Sequence, residues 1–279
     1  MQDELTQTIV STLVGSIENA KLQQSFRKPT ASLVAYDFLL RGIDHFRGYA
    51  ADDNQQACRM FERAVALDPR SAPAHAYLAL AQIALHGYFT APAEVLEAGF
   101  ARATHALALD PQESRCHSIL AVMCLYLRHY DTAEDHCRRA VDLNPNHAYG
   151  VANTGLVLAR RGRSEEALGW MRAARRLNPF TPSWYNVACA EALYLLQRYT
   201  EAVQALKRLP DVGLYEQAWM AACHAQAGQP TEAQAQTGAI LRRQPDFSTS
   251  EFLRGTVLLE RVEDRDLLRE GLIGAGLPE

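Results

Sequence analysis

Cys116–His147 reads CHSILAVMCLYLRHYDTAEDHCRRAVDLNPNH, and its spacing decides the fold. Counted back from the closing proline, the same arrangement returns without gaps in Val151–Pro179 and Tyr215–Phe247. Leu120-Ala121, Cys124, Ala133, Cys137, Ala140 and Pro145 in the first copy match Gly155, Leu158, Ala167, Met171, Ala174 and Pro179 in the second. The third copy holds Met220-Ala221, His224, Ala233, Thr237, Ile240 and Pro245. Pro145 and Pro179 stand 34 residues apart, and a period of that size marks a stacked repeat array.

Each copy contains two helical patterns. Leu120, Ala121, Cys124 and Leu127 recur at helical spacing, as do Ala133, Cys137, Ala140 and Val141. Short polar breaks separate the halves, at Arg128–Asp131, Arg161–Ser164 and Gly228–Thr231. Each break ends in Asp, Ser or Thr, whose side-chain oxygen is suited to the free N–H groups opening a helix. Asp53/Gln56, Asp131/Glu134 and Thr231/Gln234 fit a capping box. Leu67-Asp68-Pro69, Leu109-Asp110-Pro111, Leu143-Asn144-Pro145 and Leu177-Asn178-Pro179 end the second helices, because proline disfavours the α conformation in the residue before it.

This pattern resembles the tetratricopeptide repeat. Two further copies carry insertions. One has Phe38, Gly42, Ala57, Phe61, Ala64 and Pro69, and the other His75, Leu78, Ala79, Ala106 and Pro111. A sixth, Trp184 to Val212, ends at Leu209-Pro210 instead. The resemblance implies an all-α, right-handed solenoid of about six helix pairs. Residues 1–27 are expected to form an N-terminal amphipathic helix, 28–247 the superhelix and 248–279 capping helices over the last repeat.

Composition narrows the function. The net charge of −4 argues against a nucleic-acid surface. The arginine pairs 138–139, 175–176 and 242–243 fall late in second helices, where positive charge suits the helix end. No apolar run is long enough to span a bilayer, and the acidic start lacks the positive region of a secretory signal. The six cysteines include packing positions at Cys124, Cys137 and Cys189, consistent with a reducing cytoplasm. Cys116-His117, His136-Cys137 and Cys223-His224 are adjacent pairs without the spacing of a zinc site. No catalytic constellation, metal site or cofactor motif is expected, and Gly271–Gly276 has no helix following it to hold a phosphate.

The resemblance places a partner-binding surface in the concave groove, on first helices. Carried over to this sequence, it implies Tyr149, Asn153, Leu156 and Arg160, then Asn186, Ala190 and Tyr194, then Tyr215, Trp219, Ala222 and Gln226. Rings and amides suit capture of a peptide or protein. With Arg160 the one basic residue of that set, the basic clamp of chaperone-tail binders is not expected. The alternative is a small-molecule sensor that uses the groove and the 86–92 connection, with Tyr88 and Phe89 as a lid.

The ends sharpen the resemblance. Leu5, Ile9, Leu13 and Ile17 recur every four residues in the opening helix, an apolar stripe suited to pairing with a second copy. Gln2-Asp-Glu-Leu-Thr, Arg27-Lys-Pro-Thr, Ala35-Tyr-Asp, Leu40-Arg-Gly42 and Leu268-Arg-Glu-Gly-Leu-Ile-Gly-Ala-Gly-Leu-Pro-Glu279 resemble the C-terminal region of bacterial class III adenylate/guanylate cyclases and related winged-helix regulators. That resemblance implies a non-catalytic regulatory module of a cytoplasmic signalling protein, with the opening helix a remnant of an upstream module.

Overall fold

The computed structural model describes residues 30–46, 51–178 and 181–279, and among them the regular structure is helical throughout. Six antiparallel pairs follow one another. They are α1 (Thr30–Phe46) with α2 (Ala51–Leu67), α3 (Ala72–His86) with α4 (Ala93–Leu109), and α5 (Ser114–Tyr126) with α6 (Tyr130–Leu143). Then come α7 (Ala148–Arg160) with α8 (Ser164–Leu177), α9 (Trp184–Leu195) with α10 (Tyr199–Leu206), and α11 (Leu214–Gln226) with α12 (Pro230–Arg243). Two helices, α13 (Thr249–Gly255) and α14 (Val262–Gly274), complete the tail. Each helix packs on its hairpin partner and on the next pair, the contact pattern of an α-solenoid. The expected opening helix, residues 1–27, lies outside the described residues.

Small residues bring the helices together. Ala57, Ala64, Ala133, Ala140, Ala167, Ala174, Ala202 and Ala233 are buried. A Cβ added at Gly155 would lie 3.0 Å from the Ala167 carbonyl oxygen and 3.2 Å from Met171. One added at Gly42 would run into the Phe61 ring. The apolar core falls in two clusters, one dominated by the first three repeats and one by the rest together with the tail.

The turn within each of the last four pairs is built differently from the sequence expectation. Arg128, Gly162, Gln197 and Gly228 occupy equivalent places, all with positive φ, at 60°, 77°, 59° and 68°. Behind each, the next N–H reaches back five residues: His129 to Cys124, Arg163 to Leu158, Arg198 to Leu193 and Gln229 to His224, at 2.8–2.9 Å. This is the Schellman closure of a helix C-terminus. The following helices begin earlier than the polar breaks suggest. Asp131 and Thr231 lie inside the first turn, behind N-cap residues His129 and Gln229, whose side chains make no cap bond. The capping boxes expected there are not formed, and the acids in those turns complement the helix dipole instead.

The tail covers the last repeat, as expected, and reaches further. Tyr194 Oη donates to the Leu267 carbonyl at 2.9 Å, and Thr237 Oγ1 to that of Ala275 at 2.8 Å. Val257, Leu258 and Leu259 turn inward and are buried, with Leu258 joining the core of the first repeats. The Glu260 N–H donates to the Arg160 carbonyl at 2.8 Å, Arg161 Nε pairs with Glu260 at 2.9 Å, and Arg128 Nη2 donates to the Arg254 carbonyl at 2.7 Å.

Two substitutions test this packing with opposite signs. Gly155→Leu should lower stability by about 1–3 kcal/mol through overpacking. Gln197→Gly should raise it by up to about 1 kcal/mol, because the left-handed conformation penalises a side chain. Denaturant unfolding of both variants gives the two shifts.

Candidate functional site

The concave ladder follows from the repeat register. On α7, Tyr149, Asn153, Leu156 and Arg160 share one face and line a cavity of about 460 Å³. One period earlier the ladder gives Val122 and Tyr126 on α5, and one period later Ser183 at the N-cap of α9 and Val187 on that helix; all four line the same cavity. Trp184, Ala188 and Leu80 complete its apolar walls, with Asp211 and Glu216 at one side.

The connection between α3 and α4 roofs it. Phe89 stacks on Tyr215 with ring centres 4.2 Å apart and planes at 11°, and the Arg160 guanidinium carbon sits 5.7 Å from the Phe89 centroid. Tyr88 stacks on Tyr126 at 5.9 Å and 12°. The segment thus reaches from the second repeat across to the sixth. Gly87, at φ 78°, turns the chain into this path.

A buried ionic network closes the floor. Arg160 Nε and Nη2 donate to the two Glu191 carboxylate oxygens at 3.1 and 3.3 Å, and Tyr215 Oη donates to Glu191 Oε1 at 2.7 Å. Burial opposes the Arg160 charge most strongly, but Glu191 and Tyr215 together hold it above its ordinary range. Burial likewise raises the Tyr215 and Tyr126 hydroxyls. Glu216 is also raised by burial, although it accepts from the Gly213 N–H at 3.0 Å.

The residues expected to meet a partner divide three ways. Tyr149 and Arg160 line the cavity, and so does Asn153. Asn153 is nevertheless only 1% exposed and donates to Ser118 Oγ at 3.0 Å, so it also packs between repeats. Tyr194, Tyr215 and Trp219 are buried, in contacts with the tail, the roof and one another. Asn186 faces away and accepts from Arg175 Nη2 at 2.9 Å; Val187 occupies the groove position. Adding one period to Asn153 points to 187, and a one-residue slip turns a helical side chain by about 100°. Sequence reading missed Tyr126, Trp184 and Glu191. Tyr126 holds the Arg160 place one period earlier, and Glu191 is an acid within an apolar run, so both carried a signal.

The cysteine–histidine pairs have structural partners. All six cysteines are free and buried. His117 Nε2 lies 3.1 Å from the Pro111 carbonyl, which only accepts, so Nε2 carries the proton and Nδ1 accepts from His136 Nδ1 at 3.0 Å. Burial first of all lowers both imidazoles.

Among the described residues, the ladder joins two full 34-residue periods through α5 to α9. Residues 124–182 match the tetratricopeptide repeat family. No curated protein matches the chain. Among solved structures, Pseudomonas aeruginosa PilF is similar at 18% identity and a TM-score of 0.52, over 78% of this chain and 96% of its own. A chain of the APC/C hetero-tetramer Cut9–Hcn1 is similar at 17% identity and a TM-score of 0.58, over 91% of this chain and 48% of its own. PilW, a type IV pilus biogenesis factor, is similar at 16% identity and a TM-score of 0.51, over 77% and 95%. At these identities the likeness shows a shared α-solenoid fold. No helix among the described residues is long and apolar enough to cross a membrane.

The floor of the groove is sensitive to a single loss. Glu191→Ala should lower stability by about 3–5 kcal/mol, because it leaves Arg160 charged and buried. Arg160→Met combined with Glu191→Leu should restore much of that in denaturant unfolding, since an apolar pair removes both charges.

Acid should act through the imidazole pair. The folded values lie below the ordinary 6.5, so the unfolded chain takes up protons first as pH falls. Their contribution is complete above about pH 6.5 and is lost progressively below it. Unfolding titrations should show a shallower acid loss in His136→Phe than in the parent.

Proposed function

We propose that this chain is a non-catalytic interaction and regulatory module of a cytoplasmic bacterial signalling protein, related to the regions that accompany cyclase and winged-helix domains. Its partner is a peptide or protein held in the concave groove. A tetratricopeptide superhelix supports interaction in general, and the marks at the two ends support the signalling context.

The observation that carries the site is the roofed cavity, with Tyr88, Phe89, Tyr126, Tyr149 and Trp184 around it and Arg160 at its floor. Its size suits one or two inserted side chains, and aromatic rings are strong anchors at interfaces. An extended peptide running the full groove is less well accommodated, because the tail residues Val257–Leu259 are buried within the superhelix. The roof itself favours a second reading, a small ligand enclosed beneath Phe89.

Leu156 is half-buried on the cavity wall, so Leu156→Trp fills the space with a larger ring. Affinity capture from bacterial cytosol, with mass spectrometry of proteins and metabolites, should recover a partner with the parent chain. The variant should retain its helicity and lose that partner by about tenfold, equivalent to about 1.4 kcal/mol. Undiminished capture by a folded variant overturns the cavity as the site. Loss of a metabolite in place of a protein establishes the second reading.

A further inference from the structure

A second concavity lies on the other side of α9. Val187 and Ala188 face the aromatic cavity, whereas Cys189 and Leu193 lie about 100–180° around the helix. Between α8 and α10 they form the floor of a cleft of about 290 Å³. Four arginines, Arg172, Arg175, Arg198 and Arg208, surround it against a single acid, Glu201. Both Glu201 oxygens are held by Arg198, at 2.7 Å each.

The other three arginines have no acid partner among the described residues. Arg175 Nη2 meets the neutral Asn186 Oδ1, and its Nε is buried without any hydrogen-bond partner. Arg172 and Arg208 are exposed at the rim. Their fields converge on the floor: burial pushes the Cys189 thiol up, while Arg175, Arg172 and Arg208 act against the rise. Helix dipoles account for Arg175 and Arg208, near the ends of α8 and α10. They do not account for Arg172, more than a turn inside α8, or for Arg198, at the N-cap of α10 where a cation is disfavoured.

We propose that this cleft binds an oxyanion-bearing side chain, a phosphate ester or carboxylate, from an acidic segment of a partner protein. Three unmatched guanidinium groups in a chain of net charge −4 form a local positive field. Planar guanidinium forks match such oxyanions in geometry. Leu168, Met171 and Ala205 supply an apolar wall for the carbon stem that bears the group. The site shares no residue with the aromatic cavity and stands independently of the function proposed for it.

The test uses the full chain and a fluorescent peptide of alternating glutamate and glycine around one serine, unmodified or phosphorylated, followed by anisotropy at about 150 mM salt. The parent should bind saturably, and Arg172→Gln with Arg208→Gln should weaken binding by at least about tenfold. Arg176→Gln with Arg242→Gln removes the same charge outside the cleft and should change binding less than about twofold. Preference for the phosphorylated peptide identifies a phosphate ester as the ligand, and equal binding identifies carboxylates. Absence of saturable binding to the parent, or equal losses in the two folded double variants, overturns the proposal.

Discussion

Every feature of this molecule depends on one constraint: a single helix pair has more apolar face than it can bury alone. Stacking relieves it only if backbones come close, and that requires alanine or glycine where helices cross. The buried alanines and Gly155 are those crossings. Once they fix the spacing, one face of each first helix must turn toward the concave side. The aromatic cavity is therefore a by-product of packing, furnished by whichever side chains occupy that face.

The same geometry divides α9 between two surfaces of different chemistry. Its Val187–Ala188 side joins an apolar, ring-lined space whose one ion pair is internally neutralised. Its Cys189–Leu193 side lies among guanidinium groups with little to balance them. Separation by the thickness of one helix keeps the two fields apart.

The helix pairs, their pairing order and the capping role of the tail were legible in the sequence, because each rests on spacing. The cavity was legible only in part. Tyr149 and Arg160 follow from the register, but Asn186 entered by a one-residue slip in it, and its side chain meets Arg175 outside the cavity. Arg128 and Gln197 hide the recurrent left-handed turn, since that conformation is normally announced by glycine. The inward course of Val257–Leu259 left no periodic trace, because the stretch is neither helix nor repeat. The roof formed by Phe89 joins the second repeat to the sixth, a contact that no local pattern encodes.

The course of the tail has a mechanical consequence. An open stack of repeats behaves as a chain of neighbours, able to fray from its free end one unit at a time. Here the bonds from Glu260 to Arg160 and from Arg128 to the Arg254 carbonyl lace the far end back to the middle. The last four repeats thereby become a closed circuit in which no terminal unit is free to peel. Such a body resists stretching as a whole, and strain applied at the sixth repeat is felt at the third.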